Sequence, residues 1–229
     1  MTQTGKHALA DLQIIEFGEM VAAPFCTKLM GDLGAEIIKI ERPERGDVAR
    51  TYGPFKDEKP HRERSGFFAY LNTNKLGITL SPAKPEGAEI LRSLVADADV
   101  LVESNPPGVI SRLGLDFSSL HQINPRLIVT SITPFGQTGP YSGYKAFDLN
   151  IWHAGVLGYV WRERFLEEGL GPPLKGAGNI ADFHTAASAA VATMCAVVSR
   201  NITGVGQHID VSAQECVASC VSAAFANYQ

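Results

Sequence analysis

Short runs of β-branched and apolar residues alternate along the chain with longer stretches in which apolar residues recur at helical spacing. In the first 40 residues, predicted strands over LQIIEF and AEIIKIE enclose a helical stretch, APFCTKLMGDLG. Later strands are predicted over GITL, DVLVES, RLIVTSIT and HIDVS. Strands that alternate with helices predict an α/β fold, with an open, doubly wound, mostly parallel, Rossmann-like sheet covered by helices on both faces.

The segments between these strands carry helix and loop signals. Helices are predicted over PEGAEILRSLVADA, GVISRLG and DFSSLHQIN, and a polar loop is predicted from Arg42 to Ser65. Beyond Pro134 the pattern predicts a glycine-rich turn region, a helix from Phe147 to about Gly158, and a small-residue helix from Asp182 to about Arg200. A last apolar helix, AQECVASCVSAAFANY, carries no stop signal. We therefore expect an interrupted domain whose last helix is buried against another chain or against further sequence.

Composition and charge narrow the class of protein. The 229 residues are 45% hydrophobic and 19% charged, which is typical of a soluble globular protein of one large domain or a domain and a half. A net charge of -4 disfavours binding to the phosphate backbone of a nucleic acid. A local basic patch that binds a small polyanion is still compatible with this charge. We expect a cytoplasmic protein without a membrane span, because the start lacks an apolar signal core and TAASAAVATMCAVV is shorter than the ~20 residues that a span needs.

The cysteines and histidines show no pattern of a metal site. The four cysteines form no CxxC pair and lie among apolar residues, and the six histidines are scattered without ligand spacing. We expect reduced thiols in a protein that holds no metal; the cysteines are Cys26, Cys195, Cys216 and Cys220.

The turn after the first strand, FGEMVAAPF, has a single glycine, so neither a dinucleotide fingerprint nor a GxxxxGK[ST] loop is present. Ligands of open α/β sheets still bind at the carboxyl ends of the strands. We place three segments there: ERPERGD, NTNK before GITL, and ESNPPG. Their neighbourhood contains cations that either bind phosphates or form a solvated surface: Arg42, Arg45, Arg50, Lys75 and Arg112.

Asp182 stands alone before a run of small apolar residues, in GNIADFHTAASAA. As a helix N-cap it would accept a backbone N–H of the first turn. As a nucleophile it would use the same position, because a helix N-terminus stabilises negative charge and small neighbours allow a substrate to approach. Spacing does not separate these two interpretations. Neighbouring His184 is interpreted as packing or polar support, because a carboxylate needs no general base at neutral pH.

Six sequence blocks, which occur in order from about Leu9 to Gln229 and so cover essentially the whole chain, carry a resemblance to a known family. Together they resemble the class III coenzyme A transferases, the family that includes formyl-CoA and carnitine-CoA transferases. The blocks are LADLQIIEFGEMVAAPFCTKLMGDLGAEIIKIERPERGDVAR, LNTNKLGITL, VLVESNPPGVISRLGLD, NPRLIVTSITPFGQTGPY, ADFHTAASAA and TGVGQHIDVS.

The resemblance implies that coenzyme A is substrate and product, that acyl-CoA and a carboxylic acid are the reactants, and that no metal takes part. It implies that Asp182 attacks the acyl-CoA thioester, giving an aspartyl mixed anhydride and then an aspartyl-CoA thioester. Effective proximity in such a site is worth ~7–11 kcal/mol. We read Gly136, Gly139 and Gly178 as permitting close backbone approach. The residues implied for coenzyme A are Val21, Ala22, Arg42, Asn72, Lys75 and Arg112.

Two alternatives accompany this hypothesis. The related α-methylacyl-CoA racemases need a histidine where this chain has Phe147, and His153 lies two helical turns further on, so racemisation is disfavoured. The other alternative is a non-catalytic CoA-binding or assembly subunit in which Asp182 is only a cap. The segment WRERFLEEGLGPP shapes an acyl pocket or forms a solvated loop.

The resemblance also bears on domain organisation. It implies that residues 1–229 form the N-terminal part of a large domain, without the family's second, smaller domain and its C-terminal return segment. The chain is then a fragment, one subunit of a split enzyme or a degenerate copy. We expect activity to require the missing half or a partner, in a homodimer or in association with a complementary subunit.

Overall fold

Within residues 7–163 and 172–221, which the computed structural model describes, six strands form one sheet in the order β3-β2-β1-β4-β5-β6. Every neighbouring pair is parallel, so the predicted fold class is confirmed. The strands are β1 (Gln13–Phe17), β2 (Glu36–Glu41), β3 (Lys75–Thr79), β4 (Val100–Glu103), β5 (Ile128–Thr133) and β6 (His208–Ser212).

The helices follow the predicted alternation with two differences. The helix predicted from Phe147 to about Gly158 is broken, because Val156 adopts a left-handed φ of 68°. The polar loop after β2 contains short 3-10 turns, and an unpredicted helix follows it. The helices are α1 (Ala22–Asp32), α2 (Gly66–Leu71), α3 (Pro85–Asp97), α4 (Val109–Arg112), α5 (Phe117–Ile123), α6 (Asp148–Ala154), α7 (Leu157–Glu163), α8 (Ile180–Thr203) and α9 (Ala213–Ser219).

Successive strand residues point to opposite faces of the sheet, and each face has its own core. Ile14 and Val100 pack with α1 and α8 on one face. Ile15 and Leu101 pack with α3 and α5 on the other. Coverage of both faces is the reason that every residue of β4 and β5 is buried.

Helix α8 is longer than the small-residue stretch predicted, since it continues to Thr203 and ends where Gly204 adopts a φ of 79°. By length and composition alone it would be able to cross a membrane. Its small residues, such as Ala186 and Ala189, are instead buried in the core against the sheet and α1. Small side chains allow this close approach of α8 to its neighbours.

The strand order places a topological switch point between β1 and β4. From β1 the chain proceeds to β2 on one side, and after β3 it returns to β4 on the other side. The connections that follow β1 and β4 therefore diverge, which opens a crevice at the carboxyl ends of these strands.

Candidate active site

A cavity of about 600 Å³ lies in this crevice. The turn after β1, the residue after β4 and the end of β5 form one part of its wall, and the first turns of α6 and α8 form another. Its lining residues include Met20, Val21, Ala22, Ser104, Ile132, Thr133, Asp148 and Asp182. Elements that are far apart in the sequence thus converge on one concave site, the usual form of a small-molecule site.

A second cavity of about 640 Å³ adjoins the first, and Glu19 and Ser104 line both. At the junction the Arg42 Nε lies 2.6 Å from the Glu19 Oε1. Arg45 and Lys84 also line this second cavity. Three cations within one cavity wall suit a ligand that carries phosphate groups.

The first turn of α8 shows which group caps the helix. The N-cap position is Asn179, and its side chain makes no capping hydrogen bond. The Asp148 Oδ1 of α6 instead accepts hydrogen bonds from the backbone N of Ala181, at 2.9 Å, and of Asp182, at 3.4 Å. The interpretation of Asp182 as the N-cap is therefore wrong, because Asp182 stands in the first turn and Asp148 serves as the capping acceptor.

The Asp182 carboxyl group faces the first cavity in an unusual electrostatic setting. Burial, together with the negative charge of Asp148, raises the pKa of Asp182 from 3.8 to about 6, while Lys175 acts in the opposite direction. No described residue donates a hydrogen bond to this carboxyl group. Burial also raises the pKa of Asp148, although two N–H groups oppose that shift. The site thus holds a poorly solvated carboxylate that is mostly ionised at neutral pH.

Three of the six residues that the resemblance assigned to coenzyme A line the two cavities. Val21 and Ala22 line the first cavity, and Arg42 lines the second. Arg112 is exposed on α4, beside the cavity-lining Val109. Its guanidinium makes no hydrogen bond or ion pair within residues 7–163 and 172–221, and Arg112 lines neither cavity.

The placement of Asn72 and Lys75 at the ligand-binding edge is wrong. Lys75 is the first residue of β3, at the amino end of that strand, and neither residue lines the two cavities. The Lys75 Nζ lies 2.8 Å from the Glu16 Oε2 and donates to the Pro24 carbonyl and the Asn72 side chain. Burial lowers the pKa of Lys75 to about 8 in spite of Glu16. Both residues therefore support the interior of the fold.

Sequence reasoning missed Lys84 and Asp148. Lys84 follows the carboxyl end of β3, so the rule that ligands bind after a strand would have selected SPAK instead of NTNK. Asp148 carries no such local signal, because it reaches the start of α8 across 33 residues. Of the other candidate cations, Arg50 is bound by Glu41 and does not line either cavity.

The structure also gives the positions of Phe147 and His153, of His184, and of the three glycines that the sequence analysis named. Phe147 is 82% exposed at the first cavity, whereas His153 lies outside its lining with Nε2 3.1 Å from the Leu174 carbonyl. The His184 Nε2 lies 3.0 Å from the Cys220 Sγ. The three glycines predicted to permit close backbone approach are Gly136, Gly139 and Gly178, and none of them lines either cavity. All three have a positive φ, so the turn conformation of the backbone is the reason that glycine occupies these positions.

Two of the predicted segments include many residues that lie outside the described ranges. The segment WRERFLEEGLGPP includes residues 164–171, and the last predicted helix includes residues 222–229, so neither is described in full. Within the described ranges, no group of three or more His, Cys, Asp or Glu side chains is arranged to hold a metal ion.

Comparison with known proteins gives consistent matches. The family model of CoA-transferase family III matches residues 9–229. A formyl-CoA:oxalate CoA-transferase from Rhodopseudomonas palustris is 37% identical over 210 residues, which cover 92% of this chain and 47% of that protein. The succinyl-CoA:glutarate CoA-transferase from Homo sapiens is 34% identical over 224 residues, covering 96% of this chain and 48% of that protein.

A solved structure shows the same fold. The crystal structure of a CaiB/BaiF family protein from Brucella suis matches with a TM-score of 0.87 and 34% identity, covering 98% of this chain and 58% of that chain. The chain spans about half the length of the curated relatives it matches.

Replacing Asp182 by asparagine is expected to increase the free energy of unfolding near pH 7.5 by about 1–3 kcal/mol, because a pKa raised by about two units costs ~3 kcal/mol at most. The folded-state pKa lies above the ordinary value, so the native chain loses stability as the pH rises from about 4 to about 6. The gain of Asp182→Asn should therefore shrink toward zero near pH 4. Urea unfolding of both proteins at pH 7.5 and near pH 4 measures this difference in the free energy of unfolding.

Asp148→Ala is the matched variant, since it removes the acceptor that caps α8. It is expected to lower the free energy of unfolding by about 0.5–2 kcal/mol. A destabilised Asp182→Asn variant near pH 7.5 would show that the Asp182 carboxylate is a structural acceptor after all.

Proposed function

Because the chain belongs to CoA-transferase family III, we propose that it transfers coenzyme A from an acyl-CoA thioester to a carboxylic acid, with Asp182 as the nucleophile. The observation that carries this proposal is the poorly solvated Asp182 carboxyl group at the first cavity, to which no residue in the described part of the chain donates a hydrogen bond. The adjoining cavity lined by Arg42, Arg45 and Lys84 provides the complementary place for a phosphate-bearing ligand.

The proposed chemistry proceeds by acyl transfer to a carboxylate. An Asp182 oxygen attacks the thioester carbonyl carbon, a C–O bond forms, the C–S bond breaks and the CoA thiolate leaves, giving a mixed anhydride. The thiolate then attacks the Asp182 carbonyl carbon and displaces the donor acid, giving an aspartyl-CoA thioester. An acceptor carboxylate reverses both steps, so Asp182 is regenerated and no proton is transferred.

The site favours the first step in two ways. A poorly solvated carboxylate has less bound water to displace before it attacks a carbon atom. Its position in the first turn of α8 also exposes negative charge that develops near it to the positive end of the helix dipole. The pKa of about 6 leaves most Asp182 side chains ionised at neutral pH.

The two cavities suggest a path for the ligand. We place the phosphate groups of coenzyme A against Arg42, Arg45 and Lys84, with Arg112 at the rim. The pantetheine arm then passes the junction at Ser104 and brings the thioester to the first cavity, along Val21 and Ala22. Asn72 and Lys75 have no part in this path.

A covalent adduct at Asp182 tests the catalytic role. Incubation with succinyl-CoA, or separately with formyl-CoA, followed by hydroxylamine should convert Asp182 into a hydroxamate that peptide mass spectrometry locates. The rate of adduct formation should rise with pH to half its maximum near pH 6, because only the ionised carboxylate attacks.

The controls separate this function from its alternatives. Asp182→Asn should form no adduct, whereas Asp116→Asn should match the native chain, since Asp116 lines neither of the two cavities. Binding of CoA with no adduct in the native chain would favour the non-catalytic subunit. Exchange of the α-proton of an acyl-CoA without an adduct would favour the racemase.

The role of Arg42 is tested by binding alone. Arg42→Gln is expected to raise the dissociation constant for coenzyme A about tenfold at low salt, the equivalent of about 1.4 kcal/mol for one charge-assisted contact. Isothermal titration calorimetry measures it. Arg126→Gln is the matched control, because Arg126 precedes β5 at the opposite end of the sheet and lines neither cavity. Equal affinities for both variants would contradict the assignment.

We also infer that the active enzyme is a homodimer or a complex with a complementary subunit. One observation supports this: α8 exposes Val191, Val198 and Ile202 by 65%, 58% and 81%. Apolar residues repeated at this spacing are typical of a helix face that packs against a partner.

Sedimentation equilibrium at micromolar concentration tests the association. The purified chain is expected to sediment as a dimer, and Ile202→Lys should shift it toward monomer because the charge would be buried in the contact. A monomeric native chain would contradict the homodimer and favour the complementary subunit.

A further inference from the structure

The turn after β1 contributes Met20, Val21 and Ala22 to the first cavity, yet its backbone is in an unfavourable conformation. Met20 has a φ of 64°, in the left-handed region that side chains such as methionine rarely adopt. Such a conformation persists only where the surrounding structure holds it. The residues that hold Met20 therefore determine the shape of this cavity wall.

The buried carboxylate of Asp47 holds the turn after β1 in place through hydrogen bonds. The Asp47 Oδ1 accepts hydrogen bonds from the backbone N of Met20, at 3.0 Å, and of Ala49, at 2.8 Å. The backbone N of Asp47 donates to the Glu41 Oε2 at 2.8 Å, which ties the segment to β2. One side chain thus joins the turn to the segment that carries Val48, a second part of the same cavity wall.

The charge of Asp47 is balanced in the interior of the protein. The Lys39 Nζ lies 2.8 Å from the Asp47 Oδ2 and 2.6 Å from the Glu16 Oε1. Lys75 completes the set with its Nζ 2.8 Å from the Glu16 Oε2. Two carboxylates face two ammonium groups, and all four side chains are at most 2% exposed. A buried set of this kind tolerates the loss of a balanced pair better than the loss of a single charge.

We propose that Asp47 is a positioning residue for coenzyme A, which holds Met20 in its left-handed conformation and so fixes the wall formed by Met20, Val21 and Ala22. The inference rests on the proposed function, because it assumes that this wall contacts the CoA moiety. Asp47 does not line either cavity and acts only through the turn. Its contribution is therefore expected in CoA affinity and not in the chemistry at Asp182.

A pair of double variants isolates the hydrogen bonds from the charge. Lys39→Met with Asp47→Asn removes one positive and one negative charge but keeps an oxygen that can accept from Met20 and Ala49. Lys39→Met with Asp47→Ala has the same net charge and no acceptor. Titration calorimetry with coenzyme A should give a dissociation constant within about threefold of the native value for the first and about tenfold higher for the second.

Further measurements exclude a merely structural explanation. The half-saturating concentration of succinyl-CoA for adduct formation should rise in the Asp47→Ala double variant, while the maximal rate stays native. Asp116→Ala removes the N-cap acceptor of α5, which accepts from the backbone N of Ser119, and should lower stability without changing CoA affinity. Met20→Pro leaves all four charges in place but cannot adopt positive φ, and it should weaken CoA binding to a similar degree.

The outcomes distinguish the two proposals. Native-like affinity in Met20→Pro, or equal affinities in the two double variants, overturns the positioning role while CoA binding by the native chain stands. If the Asp47→Ala double variant does not fold, native-like affinity in Met20→Pro still overturns the positioning role. If the native chain shows neither CoA binding nor an Asp182 adduct, the proposed function fails and the positioning role fails with it.

Discussion

The candidate site depends on a hydrogen bond between two helices that are distant in sequence. The Asp148 carboxylate of α6 accepts the free backbone N–H groups at the start of α8. A helix start normally draws its cap from the residue just before it. Because Asp148 supplies that acceptor, the carboxyl group of Asp182 is not needed by its own helix and remains directed to the cavity. The same contact fixes α6 and α8 relative to each other, and both helices line that cavity.

This arrangement places two carboxylates close together, with an energetic consequence. Burial raises the pKa of both Asp148 and Asp182, and the charge of Asp148 raises the pKa of Asp182 further, so the ionised site is less stable than a solvated pair would be. Strained or poorly solvated groups of this kind concentrate at functional sites, where reactivity is gained at the expense of stability. A fold with extensive apolar cores on both faces of its sheet tolerates such a local cost.

The buried ionic set of Glu16, Lys39, Asp47 and Lys75 differs from the Asp182 site, because its charges compensate each other. Every charge there has a partner of opposite sign, and the set adjoins the turn that leads into α1. The crevice thus combines a carboxylate on α8 that has no hydrogen-bond donor among the described residues with a fully paired ionic set beside the turn after β1. Both lie near the strand ends at the switch point of the sheet, which is why elements so distant in sequence share one cavity.

The sequence alone was sufficient for the alternation of strands and helices, and it singled out Asp182, Val21, Ala22 and Arg42, all of which lie at the crevice. The alternation depends on periodicity, which is a local property of the chain, whereas Val21 and Ala22 were implied only by the resemblance over six ordered blocks. The break at Val156 was not visible in this way, because periodicity does not report a left-handed residue.

Tertiary structure decided the roles of individual charges. Asp148 became a helix cap and Lys75 an interior counterion only because the tertiary fold brings distant segments together. The interaction of a charge depends on its distance from its partners and on its exposure to water, and the fold sets both. The amino-acid order therefore determined which elements form and which acid stands out, whereas the packing of those elements determined which charges stay unpaired.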